Sequence, residues 1–107
     1  MNWMPPVFDK AGWTKYGWRC QHQEGLKLGR NVDIGCFTYL NAKYGIEIGD
    51  NVQIGAHCAI YSDNTENDTH GPVVIEKDAR IGSFCLLLPN VHILAGSKIR
   101  AYSIWKQ

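Results

Sequence analysis

The residues best suited to moving a proton in this sequence are its histidines, His22, His57, His70 and His92. An imidazole ordinarily titrates near neutral pH and can both take and return a proton. Two of the four lie around a run of acids and amides. His57 stands in Gly55-Ala56-His57-Cys58-Ala59-Ile60, and His70 closes the polar stretch Tyr61-Ser62-Asp63-Asn64-Thr65-Glu66-Asn67-Asp68-Thr69-His70. Each is a candidate general base for a hydroxyl or amine acceptor. Each also has a plainer reading: His57 as a corner residue at positive φ, where His is tolerated, and His70 as a solvated loop residue. Asp63, Glu66 and Asp68 are carboxylates that either orient an imidazole or keep the loop soluble. Tyr61, Asp63 and Asn64 are candidates for holding the acceptor. His92, beside Ile93, reads as a surface or interface residue, and His22 has no motif around it.

Other chemistries find less support. Cys20, Cys36, Cys58 and Cys85 form no CxxC pair, and their spacing fits no usual zinc site. Cys58 and Cys85 occupy small inward positions and read as reduced core residues. There is no Walker or dinucleotide glycine motif. Basic and acidic residues number 11 and 10, a net charge of +1, which gives no electrostatic case for nucleic acid or an anionic membrane.

The elements that must carry these residues show a period of six. From Ile46 to Ile60 the large aliphatics recur at Ile48, Ile54 and Ile60, with Ile46, Val52 and Cys58 two residues before each. Neither a helix nor a plain strand repeats this way. The pattern fits a chain that makes a short strand, turns a corner and makes another. It begins at Leu28, continues through Ile34 and Leu40, and resumes after the polar stretch at Ile75, Ile81, Leu87, Ile93, Ile99 and Trp105. Corner residues three places on are Asn31, Asn51, Asp78, Asn90 and Gly96, types that accept positive φ. Three such repeats, about 18 residues, close one turn of a triangular prism with parallel strands. About four turns at ~4.8 Å per strand make it roughly 20 Å tall.

Two insertions interrupt the period. The step from Leu40 to Ile48 is eight, which places a bulged corner near Asn41–Gly45, and residues 61–73 form a protruding loop. Residues 1–25 lie outside the repeat and carry Trp3, Phe8, Trp13, Tyr16 and Trp18. They read as a cap over the first turn, with a short helix from Phe8 to Trp18, or as an aromatic border to a ligand site. The 107 residues make a single domain, with 1–25 as cap and 26–107 as repeat. Tyr39, Tyr61, Leu86, Leu88 and Leu94 point outward and predict a contact between copies of the chain. Without an apolar run of spanning length or a recognisable leader, no membrane insertion and a cytoplasmic setting are expected.

The motifs Ile48-Gly49-Asp50-Asn51-Val52-Gln53-Ile54-Gly55-Ala56-His57-Cys58-Ala59-Ile60 and Val73-Val74-Ile75-Glu76-Lys77-Asp78-Ala79-Arg80-Ile81-Gly82-Ser83 resemble the bacterial hexapeptide-repeat acyltransferases, nearest to the sugar O- and N-acetyltransferases. The resemblance covers roughly residues 26–105. It implies an all-β, left-handed parallel β-helix, a homotrimer, acetyl-CoA as donor, a small-molecule sugar or nucleotide-sugar acceptor of the kind used in surface glycans, and a His base. No metal is required, because the thioester is already activated. By the same resemblance Gly82, Ser83, Ala101 and Ser103 would meet the pantetheine arm, and Lys98 and Lys106 (with Arg100) the phosphates. The family carries a Pro-rich tail where this chain ends at Gln107, so the alternative is a trimeric scaffold that has lost donor binding. A γ-type carbonic anhydrase shares the β-helix but needs three His per zinc site, and no close His pair is seen.

Overall fold

A computed structural model describes residues 3–107, all of them strand, turn or extended chain apart from one short 3-10 turn, Gln23–Gly25. Strand β1 (Arg19–Gln21) comes first. The first full turn is β2 (Leu26–Leu28), β3 (Asp33–Ile34) and β4 (Tyr39–Asn41). The second is β5 (Ile46–Ile48), β6 (Gln53–Ile54) and β7 (Ala59–Tyr61), followed by a hairpin of β8 (Asp63–Asn64) and β9 (Thr69–His70). The third is β10 (Val73–Ile75), β11 (Arg80–Ile81) and β12 (Leu86–Leu87), and the fourth β13 (His92–Ile93), β14 (Lys98–Ile99) and β15 (Ile104–Trp105).

These stack into three parallel sheets, the faces of a β-solenoid of about four turns. Face A is β1-β4-β7-β12-β15, face B β2-β5-β10-β13 and face C β3-β6-β11-β14. Among the described strands only β8 and β9 form an antiparallel pair, with one isolated antiparallel bridge between Trp13 and Arg19. The period of six shows up directly as register. Leu40, Ile60 and Leu87 lie over one another, as do Ile48, Ile75 and Ile93, and Ile34, Ile54, Ile81 and Ile99. All of these are buried. Each fully buried aliphatic of this size is worth about 1.5–3 kcal/mol, so the ladders hold the turns together while the sheets satisfy the backbone. No helix among the described residues is long and apolar enough to cross a membrane.

The corners divide their tasks in a way the repeat pattern only half expresses. Positive φ falls on the third residue after the inward aliphatics of faces B and C: Asn31, Asn51, Asp78 and Gly96 between faces B and C, and Phe37, His57, Phe84 and Tyr102 between faces C and A. The glycine directly after the aliphatic serves another purpose. A Cβ on Gly55 would lie 2.6 Å from the backbone nitrogen of Ser83 in the next turn, and one on Gly82 would strike that of Ala101. Successive turns approach each other closely at these glycines.

The N-terminal segment does more than cap. Phe8 packs edge-on against Trp18 at 5.5 Å, and the buried Trp18 closes the base of the core. Its last residues then join the solenoid, with Cys20 in register with Leu40. The helix expected from Phe8 to Trp18 does not form. Asp9 Oδ1 accepts from the N–H groups of Ala11 and Trp13, both at 2.9 Å, and Gly12 and Gly17 take φ of 88° and 85°. Those bonds bend the chain back so that Trp13 bridges Arg19. At the opposite end the repeat position Trp105 is 39% exposed.

Candidate functional site

The two candidate bases lie at opposite ends of β7. His57 stands on the corner before the strand and His70 in the hairpin after it. Five residues of extended chain separate those corners, on the order of 15 Å at about 3.3 Å per residue.

His57 is one ring in a column. The Phe37 and His57 ring centroids are 5.1 Å apart, His57 and Phe84 are 4.8 Å apart with planes 2° from parallel, and Phe84 and Tyr102 are 5.1 Å apart with planes 5° from parallel. All four residues are at positive φ, a conformation that costs a bulky residue about 1–2 kcal/mol. Each stacked pair returns about 0.5–1.5 kcal/mol. Just inside the column a second ladder ties the same turns together. Thr38 Oγ1 donates to the Gly55 carbonyl at 2.8 Å, Cys58 Sγ to that of Gly82 at 3.2 Å and Cys85 Sγ to that of Arg100 at 3.0 Å. Cys58 and Cys85 are thus core thiols, as read, with the added task of bonding one turn to the next. Burial raises the Cys58 thiol and pushes the Cys20 thiol up to about 12.

His70 sits on the irregular corner between faces A and B. The hairpin puts Asp63 and His70 directly opposite each other, so their side chains leave on the same side. The His70 ring stacks on Tyr44 at 4.3 Å, and its carbonyl accepts from Asn90 Nδ2 at 3.2 Å. Lys43 Nζ reaches Asp63 at 4.0 Å. Ser62 pins the neck of the loop. It is fully buried, and its hydroxyl accepts from the Tyr44 N–H at 2.9 Å and donates to the Asn41 carbonyl at 2.6 Å. The Gly71 N–H then closes the neck by donating to the Ser62 carbonyl at 2.9 Å.

A groove of about 350 Å³ opens between this hairpin and face A. Tyr61, Leu86 and Leu88 line its face A side, Asp63, Asn64, Thr65 and Glu66 form the hairpin wall, and Asn41 adds an amide. The three residues read as acceptor-binding, Tyr61, Asp63 and Asn64, therefore share one groove. Leu86 and Leu88, read as fully outward, are half-buried there.

The residues assigned to the donor do not gather in the same way. Ser83 Oγ accepts from the Ala56 N–H at 3.2 Å, the Ser83 carbonyl from the Tyr102 N–H at 3.0 Å, and Ser103 Oγ donates to the Arg100 carbonyl at 2.6 Å. Gly82 and Ala101 are in backbone contact. Gly82 and Lys98 also border a shallow hollow of about 370 Å³ on face C, where Arg80 Nη1 donates to Gln53 Oε1 at 2.8 Å. Lys106 is exposed near the end of face A.

Other features escaped sequence reasoning. His92 Nε2 lies 2.5 Å from a Glu76 carboxylate oxygen, a pairing that stacks β13 on β10 and that no local motif announces. A hollow of about 640 Å³ lies under the N-terminal segment between Trp3, Tyr16, Trp18 and Leu28. Among the described residues no three His, Cys, Asp or Glu side chains gather as a metal site would need within the chain. No family model, curated protein or solved structure matches the sequence.

Proposed function

We propose that the protein is an acyltransferase that moves an acetyl group from acetyl-CoA to a hydroxyl or amine of a sugar. The observation that carries this reading is the groove at the hairpin. The hairpin sets His70 opposite Asp63, and Asp63 lines a cleft with an apolar, aromatic floor and amide, hydroxyl and carboxylate groups on its wall, while the His70 ring, stacked on Tyr44, lies outside that lining. Such a mixture suits a sugar ring, which presents C–H surface on one side and hydroxyls around its rim. In this reading His70 takes the acceptor proton, the freed oxygen or nitrogen attacks the thioester carbonyl, the C–S bond breaks, and the imidazolium returns the proton to the thiolate. Backbone N–H groups would hold the oxyanion. The parallel solenoid is the scaffold the resembled family uses for this reaction. The exposed Phe84, Tyr102, Leu94 and Ile104 supply apolar surface for the contacts of a homotrimer. Four free cysteines suit the reducing cytoplasm.

A second reading is favoured by one observation: the Ser83 hydroxyl, the Ser103 carbonyl, Gly82 and Ala101 are engaged in stacking turn on turn. In that reading the chain is a trimeric scaffold without a donor site. Calorimetry with coenzyme A separates the two, since a saturable heat supports the enzyme and its absence the scaffold. For the base, thiol release from acetyl-CoA with a sugar panel is expected to fall by about 10²–10⁴-fold in His70→Ala and to persist in His57→Phe. Undiminished turnover in His70→Ala would remove His70 as base.

A further inference from the structure

The hollow of about 640 Å³ under the N-terminal segment shares no lining residue with the groove at the hairpin. Three aromatic residues, Trp3, Tyr16 and Trp18, border it over an apolar wall that includes Leu28. The Trp3 indole is fastened by its edge, where its N–H donates to the Val32 carbonyl at 3.0 Å. Among the described residues Trp3 and Tyr16 stack on no other ring, and Trp18 pairs only with Phe8. Rings that line one space without stacking on each other leave that space for another occupant.

Two further observations give its chemistry. A cation already stands at this lining, since Lys15 Nζ lies 5.2 Å from the Tyr16 ring centroid, within the reach of a cation–π contact. The lining also holds one charge of each sign, Lys15 and Asp33. Neither makes an ion pair among the described residues, with the other or with any third group. Opposite charges held apart on one apolar hollow match a ligand that carries both. A primary ammonium entering such a hollow loses hydrogen bonds to water. A quaternary ammonium has no N–H to lose, and aromatic side chains recognise it by attraction to their faces.

From this lining we infer that the hollow binds a quaternary-ammonium zwitterion, a trimethylammonium group joined by a short chain to a carboxylate. The trimethylammonium lies among Trp3, Tyr16 and Trp18, with Asp33 as its counter-charge. The carboxylate meets Lys15, whose exposed ammonium turns from the Tyr16 ring to reach it. The site is independent of the acyl-transfer reading above, and either can fail without the other.

The test is equilibrium binding to the full chain at neutral pH, by calorimetry and ligand-observed NMR, with three matched probes. γ-Butyrobetaine carries both groups, γ-aminobutyrate lacks the methyls, and butyltrimethylammonium lacks the carboxylate. γ-Butyrobetaine is expected to bind about tenfold or more tightly than either of the others. Tyr16→Leu and Asp33→Asn, both at exposed positions and each checked for an unchanged circular dichroism spectrum, are expected to weaken it by about fivefold or more. Lys15→Gln is expected to weaken γ-butyrobetaine and strengthen butyltrimethylammonium, because it takes a partner from the first and a like charge from the second. No binding of γ-butyrobetaine, or equal binding of γ-aminobutyrate or butyltrimethylammonium, overturns the inference on the unaltered chain alone. So does an affinity untouched by both Tyr16→Leu and Asp33→Asn, or a Lys15→Gln chain that shifts both quaternary probes in the same direction.

Discussion

Two edges of the prism were built under different constraints. Between faces C and A every turn bends in the same way, and the corners stack into the column Phe37, His57, Phe84 and Tyr102. Between faces A and B no two corners agree: a 3-10 turn at Gln23–Gly25, a bulge ending at Gly45 (φ 103°), the hairpin, and a tight corner at Asn90. The regular edge spends its side chains on its neighbours, and its histidine with them. The irregular edge releases chain from the stack, and the released chain forms a groove. Regularity stabilises and leaves little surface free for a ligand; a break in the repeat creates a concave one.

The comparison can be broken most decisively at the glycines of the regular edge. Gly55→Val puts a branched side chain against the Ser83 backbone and is expected to cost about 3 kcal/mol or more, as judged by chemical denaturation. A loss below about 1 kcal/mol would show that the turns are not held as closely as their geometry implies. Next in size is His57. His57→Val places a β-branched residue at positive φ and removes two stacking contacts, for an expected loss of about 2–3 kcal/mol. His57→Phe keeps ring and conformation, as Phe37 and Phe84 do, and is expected within about 0.5 kcal/mol of the parent. A large loss in His57→Phe would mean that the imidazole has a task beyond stacking. The smallest loss among the disruptive changes belongs to the irregular edge. Ser62→Ala deprives the Tyr44 N–H of its partner at a buried site, for about 1–2 kcal/mol. Hydrogen exchange at Tyr44 and Gly71 should accelerate while exchange at Ile60 and Leu87 holds. Uniform acceleration would instead join the loop neck to the global unfolding unit.

Much of the fold was legible because its pattern is local. A residue's place within a six-residue repeat settles whether it points inward, and Leu40, Ile60 and Leu87 could be placed without knowing what lies above or below them. The corners at Asn31, Asn51, Asp78 and Gly96 were legible too, since small polar residues and glycine are the usual occupants of positive φ. Phe37, Phe84 and Tyr102 hold the same conformation but were not recognised, because bulky aromatics seldom occupy it and only their mutual stacking compensates. The candidate site was legible in part. Tyr61, Asp63 and Asn64 were found as a polar run beginning where the repeat stops, but Asn41, Leu86 and Leu88 join them from other turns of the solenoid.

By itself, then, the sequence determined the six-residue period, the inward ladder and the places where the chain leaves it, all of which follow from side-chain alternation and corner chemistry within a few residues. Only the tertiary structure decided which residues meet across turns. The rings of the column are separated by 20, 27 and 18 residues. No constant period links them, because the bulge and the hairpin add residues that loop outward without shifting the stack. Parallel pairing holds each turn in register with the one below it, and that register brings His57 between two phenylalanines and sets Leu86 and Leu88 beneath the hairpin.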